Sequence, residues 1–201
     1  MKKEGVMKSF IYLGWLLIAA GAVIDLFQNP LGSLGWILLL TLLVTLYFGL
    51  KVPSYMHLLL SFMVILDILG ETIGLFYFVE YYDKLLHLIN SIILCILIYY
   101  LSKDKIKDKK MLVLFCVFAA ISLLVGWEIF EYGYDSLFGG RMQGVNLVDG
   151  VHFSVYKSVV SAFDDTMEDF IFDVIGTLIF SLVFWFKNIK NKRKRKARKH
   201  S

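Results

Sequence analysis

The sequence predicts an all-α, polytopic integral membrane protein of about six transmembrane helices in a bundle. Three observations carry that expectation. Of 201 residues, 58% are hydrophobic and the mean hydropathy is +0.69, more apolar surface than a soluble fold of ordinary composition can bury. The apolar residues fall in long continuous runs, each close to the roughly 20 residues that a spanning helix needs. A membrane β-barrel would instead show short alternating segments. Lysine and arginine are also concentrated in alternate connections, which places both termini in the cytoplasm.

The apolar windows run from Phe10 to Phe27, Leu31 to Leu50, Tyr55 to Phe78, Asp83 to Leu101, Met111 to Tyr132 and Asp165 to Phe186. Pro30 and Gly32 make a tight turn after the first. That first window, with Lys2, Lys3 and Lys8 before it and Ala20-Gly21-Ala22 within it, also has features of a cleavable signal peptide. It continues through Val23, Ile24, Leu26 and Phe27, long enough to span, and whether it is retained stays open at this stage. The longest connection, about 133–164, faces outside, and within it Val151 to Phe163 alternates enough to suggest a short interfacial helix or re-entrant piece. Residues 1–186 form one membrane domain in this reading, and 187–201 a basic, disordered cytoplasmic tail.

Orientation follows from charge. Lys2, Lys3, Lys8, Lys51, the cluster Lys103, Lys105, Lys107, Lys109 and Lys110, and nine basic residues after Phe186 fall on one side. Only Lys84, Arg141 and Lys157 fall on the other. The expected location is the plasma membrane, with membrane lipid as the partner and anionic head groups drawn to the tail. Nucleic acid is not an expected partner, and the oligomeric state is not legible. Cys95 and Cys116 lie in different apolar windows and read as small hydrophobes, not as a disulfide framework or a metal motif.

The acidic residues are distributed in the opposite sense. Of 17, only Glu4, Asp104 and Asp108 fall on the cytoplasmic side. An ionised carboxylate near the centre of a spanning helix costs about 2.5–3.5 kcal/mol on insertion scales, so such residues face partners, water or a ligand. Their spacing is helical. Asp67 pairs with Glu71, Asp83 with His87 and Asn90, Glu128 with Glu131 and Asp135, and Asp165 with Asp169 and Asp173, each set on one helix face. Counting about 1.5 Å per residue from each helix's inner end puts Asp67 and Asp173 roughly 18–21 Å up, and Glu71, His87, Glu128 and Asp169 roughly 24–27 Å up. Acids from four helices thus share one level in the outer half of the membrane.

Clustered carboxylates persist together with shared protons, basic partners or a cation. Asp83, His87, Glu128, Glu131, Asp165 and Asp169 are the candidate acid–base groups. Asp83, His87, Glu128, Glu131 and Asp169 are the candidate ligands of a divalent cation (Mg, Mn, Ca or Zn), as in carboxylate sites built inside helical bundles. Asp67, Glu71, Asn90 and Asp173 support them. Arg141 and Lys84 are candidates to hold an anionic substrate group at the rim. Three classes stay open: a cation-dependent site acting on or binding an envelope or lipid-linked substrate, a non-catalytic scaffold held by a polar network, and a proton- or ion-coupled transporter. Asp25, near the outer end of the first helix, reads as an ordinary interfacial residue, and His57 as incidental.

The strings Tyr82-Asp83-Lys84-Leu85-Leu86-His87, Glu128-Ile129-Phe130-Glu131-Tyr132 and Asp165-Thr166 followed by Asp169 and Gly176 resemble, in that order, the motifs of YjdF-like bacterial inner-membrane proteins, an uncharacterised family. The resemblance spans about Tyr77 to Phe184. Asp164 stands where that pattern has a tryptophan, Tyr132 is the aromatic after the second glutamate, and Asp173 replaces a small apolar residue. The resemblance implies weight for Asp83, His87, Glu128, Glu131, Asp165 and Asp169, and none for Asp67 or Glu71. The run Asp83, Lys84, His87, with Arg141 farther on, is also similar, more loosely, to VanZ-like membrane proteins associated with glycopeptide resistance.

Overall fold

In a computed structural model, which describes residues 2–49, 52–139, 142–144, 146–148 and 156–197, the described parts of the apolar windows are helical apart from a break in the third. Helices α1 (Lys2–Gln28), α2 (Pro30–Gly49), α3 (Ser54–Glu71), α5 (Tyr82–Ser102), α6 (Lys109–Phe138) and α7 (Ala162–Ala197) are joined by a single short turn of helix, α4 (Leu75–Phe78), after α3. Six of them contain a stretch long and apolar enough to cross a membrane. Large apolar side chains stand exposed along these stretches, Phe27 at 84% and Leu137 at 79% among them. Such a surface suits lipid, where helices satisfy every backbone group internally.

Local chemistry sets the helix ends. Asn29 accepts a hydrogen bond from the Gly32 amide at 3.1 Å, capping α2, and Pro30 supplies its first residue without forfeiting a backbone donor. Asp108 caps α6 by accepting from the Lys110 and Met111 amides at 2.8 and 3.0 Å.

Three sequence expectations change locally. The third window is not one helix: α3 stops at Glu71, and the chain turns through Gly74, whose φ of 90° is a left-handed value that glycine adopts without a Cβ penalty. The interruption is invisible to hydropathy because Ile73, Leu75, Phe76 and Phe78 keep the run apolar. The connection between α6 and α7, in turn, holds a small antiparallel ribbon, β1 (Asn146–Val148) paired with β2 (Tyr156–Ser158), where a helix or re-entrant piece was expected; residues 149–155 lie outside the described set. Helix α7 also runs on to Ala197, so the basic segment begins as a continuation of that helix.

The chain divides into two compact units, Met1–Leu86 with Val145–Val159, and His87–Gly144 with Val160–Ser201. In the first, α1 packs against α2 and α3 through Ile11, Ile18, Ala22, Leu43, Met56, Val64 and Ile68, all buried. In the second, Cys95 and Ile98 of α5, Leu112, Cys116 and Ala120 of α6 and Phe180 of α7 form the apolar core. Tyr99 packs its ring against Phe180 and Phe184. Close approach of α5 and α7 requires Gly176: a Cβ there would meet the Ser91 side chain and lie 2.6 Å from the Leu88 carbonyl oxygen. This contact sits one turn beyond Asp173 and fixes the spacing of two of the three helices that carry the site.

Candidate functional site

The second unit gathers a histidine and three carboxylates from three helices. His87, near the start of α5, is 5% exposed. Its Nδ1 lies 3.3 Å from Asp173 Oδ1, and its Nε2 lies 3.7 Å from Glu128 Oε1 and 3.8 Å from Asp169 Oδ1. Asp169 and Asp173 are one turn apart on α7, so both present to the same imidazole. Glu128, Asp169 and Asp173 are all buried.

The two faces of the ring do different things. At 3.3 Å the Asp173 oxygen is in reach of a long hydrogen bond with Nδ1, which fixes the tautomer and leaves Nε2 directed at the other two acids. Separations of 3.7 and 3.8 Å exceed hydrogen-bond length. They approach the edges of a ligand shell, since a tetrahedral site with bonds of about 2.0–2.2 Å has ligand–ligand edges of roughly 3.3–3.6 Å. Metal-bound histidines typically donate the far ring nitrogen to a carboxylate, the arrangement Asp173 provides.

Glu128 is oriented in the same way. Its Oε2 accepts from the Thr166 hydroxyl at 3.0 Å, and that hydroxyl accepts from the Gln143 side-chain amide at 3.2 Å. Thr166 precedes Asp169 by one turn on α7. Glu131, one turn after Glu128, is 7% exposed. Asn90, one turn after His87, has a buried carbonyl oxygen with no hydrogen-bond partner among the described residues.

A second set of acids faces the start of the connection between α6 and α7. Asp135 accepts from the Met142 and Gln143 amides, both at 2.9 Å, and Asp165 accepts from the Gly144 amide at 2.7 Å. These bonds tie the segment after α6 to both α6 and α7. Asp165, expected among the acid–base groups, is directed at this backbone. Gln143 belongs to both arrangements, held by Asp135 through its amide and reaching Thr166 with its side chain.

The remaining described candidates fall in the first unit. Asp83 stands one turn before His87 on the continuous helix α5 and is 3.4 Å from Lys84 Nζ. Lys84 is 1% exposed, so it is a buried ion-pair partner and not a residue at an open rim. Asp67 is half-buried, beside Tyr82, whose hydroxyl donates to the Leu66 carbonyl at 2.8 Å. Glu71 accepts from Asn29 Nδ2 at 3.3 Å and the Tyr77 hydroxyl at 3.4 Å. Arg141 lies outside the described residues.

Sequence reasoning passed over Asp25. It is 1% exposed and accepts from Trp36 Nε1 at 2.5 Å and the Thr72 hydroxyl at 3.0 Å, joining α1, α2 and the end of α3. It is a buried helix lock, not an interfacial end residue. The only signal was the co-occurrence of Asp25, Trp36 and Thr72 near helix ends that connectivity places on one side.

The family described as "Predicted membrane protein (DUF2238)" matches residues 6–190. The match takes in the whole stretch whose motifs resemble YjdF-like proteins; the looser VanZ-like similarity gains nothing from it. No curated protein and no solved structure matches the chain.

Proposed function

We propose, for a chain that belongs to the DUF2238 family of membrane proteins, that His87, Glu128 and Asp169 are the core of a divalent-cation site, acting on or binding an envelope or lipid-linked substrate. The observation that carries this reading is the division of labour on His87: Nδ1 is taken by Asp173, while Nε2 faces two carboxylates at 3.7 and 3.8 Å. Asp173 and the Thr166–Gln143 chain orient the ligands. One nitrogen with several oxygens suits Zn²⁺ or Mn²⁺ better than Mg²⁺ or Ca²⁺, which favour oxygen alone. Such an ion would polarise a phosphoryl or carbonyl oxygen, or bring bound water to a pKa of about 7.

The orientation that fits this reading is the charge-based one, with both termini in the cytoplasm of a plasma-membrane protein and the site toward the outer surface. The second reading is a structural network, favoured by the same Thr166–Glu128 and His87–Asp173 contacts, which hold helices together without any ion. Ion-coupled transport is the third class.

Elemental analysis of detergent-purified protein at neutral pH separates the first two. Near-stoichiometric Zn or Mn is expected, lost in the double variant His87→Ala with Asp169→Asn, which should still fold and melt close to chelator-treated wild-type protein. Metal-free wild-type protein that takes up neither ion on dialysis, together with a variant that unfolds, establishes the structural network instead.

A further inference from the structure

Charge at one end of the second unit exceeds what topology requires. Helix α5 ends at Ser102, α6 begins at Lys109, and α7 leaves its apolar stretch at about Lys187 before running on to Ala197. Alternation of the three helices brings these points to the same end. The α5–α6 connection carries Lys103, Lys105, Lys107, Lys109 and Lys110, all exposed. The sequence from Lys187 onward adds Lys187, Lys190, Lys192, Arg193, Lys194, Arg195, Lys196, Arg198 and Lys199. Against these stand Asp104 and Asp108. The Asp108 carboxylate is engaged by the first amides of α6, and Lys103 Nζ rests 4.4 Å from the centre of the Tyr100 ring. In the first unit, Lys2, Lys3, Lys8 and Lys51 are set against Glu4. A bias in the sign of charge is enough to orient spanning helices, and the first unit has it with four basic residues. The second unit carries more than three times as many.

We infer that this end of the second unit is a binding surface for anionic lipid head groups. The apolar parts of α5, α6 and α7 end at the basic residues, so the charges lie at the depth of lipid phosphates, where a basic residue contributes roughly a fivefold gain in binding. A nucleic-acid backbone has complementary charge too, but the membrane holds lipid phosphates at this surface at far higher local concentration.

The test uses the full chain in nanodiscs of phosphatidylcholine doped with phosphatidylglycerol, with retained lipid identified by native mass spectrometry. Phosphatidylglycerol is expected to be retained at least tenfold over phosphatidylcholine at equal mole fraction. The preference should fall steeply between 50 and 500 mM salt (order-of-magnitude window, about a threefold change in screening length). The variant with Lys103, Lys105, Lys107, Lys109 and Lys110 all changed to Gln keeps the α7 charges that set orientation, and should lose most of the preference. Equal retention of the two lipids by the unmodified chain overturns the inference without reference to any variant. So does a preference unchanged by salt and by the five substitutions, or displacement of the lipid by single-stranded RNA at sub-stoichiometric amounts.

Discussion

Replacing Asp173 with asparagine isolates what the carboxylate does for His87. The side chains are nearly isosteric, so α7 and its packing at Gly176 are retained, and only the charge 3.3 Å from Nδ1 is removed. If Nε2 is a metal ligand, its basicity depends on that charge, and substitutions of such orienting carboxylates cost about 10–100-fold in metal affinity. That corresponds to about 1.4–2.7 kcal/mol. The same quantity is visible in stability: an ion at one hundred times its dissociation constant stabilises the folded chain by about 2.7 kcal/mol, and a tenfold weaker site loses about half of that at the same free ion concentration. The assay is competition of detergent-solubilised protein with a chromophoric chelator for Zn²⁺ and Mn²⁺, paired with melting curves with and without a stronger chelator. Asp173→Asn should bind the ion at least tenfold more weakly, and its melting temperature should respond less to ion removal. Affinity within twofold of wild type in a folded variant, or a wild-type melt that ignores the chelator, would refute the role given to this carboxylate.

Other substitutions test the frame around the site. Gly176→Ala should destabilise the second unit by about 1–3 kcal/mol through overpacking against Ser91 and the Leu88 carbonyl, and Ser91→Ala should restore only part of the melting temperature. Asp25→Ala leaves the Trp36 and Thr72 donors buried and should cost about 2–4 kcal/mol in thermal stability, with Asp25→Asn milder. Asp108 has its carboxyl held below the ordinary 3.8 by hydrogen bonds from the Met111 and Lys110 amides. Its contribution is therefore complete above that value and fades as pH falls through the lower native one, so Asp108→Ala should lower the melting temperature at pH 7 and converge with wild type in strong acid. A cysteine introduced at Gln143 in the chain with Cys95 and Cys116 changed to Ala should react with an impermeant maleimide added to intact cells; reaction only after permeabilisation reverses the proposed orientation.

The six crossings were legible because lipid imposes a simple rule: a spanning helix must be apolar over its length, and hydropathy reads that directly. The break between α3 and α4 was hidden for the same reason, since a turn built from Ile73, Gly74 and Leu75 is as apolar as the helix it ends. The ribbon between α6 and α7 depends on a pairing of Asn146 with Ser158 across twelve residues, which periodicity within either segment does not encode. At the site, helical spacing correctly put Asp169 and Asp173 on one face, and Glu128 on the helix facing them. It could not separate those acids from Asp165, which has the same spacing but points at the Gly144 amide. That choice is made by the path of the backbone after α6. Asp25 and Lys84 went the other way: a lone acid and a lone base near helix ends look solvated in sequence, and only packing shows them enclosed.

The early stop of α3 also bears on the lipid around it. Eighteen helical residues at about 1.5 Å each reach roughly 27 Å, slightly short of a hydrocarbon core of about 30 Å. The helix therefore has no length to spare for tilt, and the apolar turn at Thr72–Gly74 with α4 must complete its passage. A thicker bilayer would strain this crossing first, by local thinning or by drawing the Glu71 turn inward. Acyl-chain length should accordingly be a control parameter for the whole protein, with the first unit responding before the second.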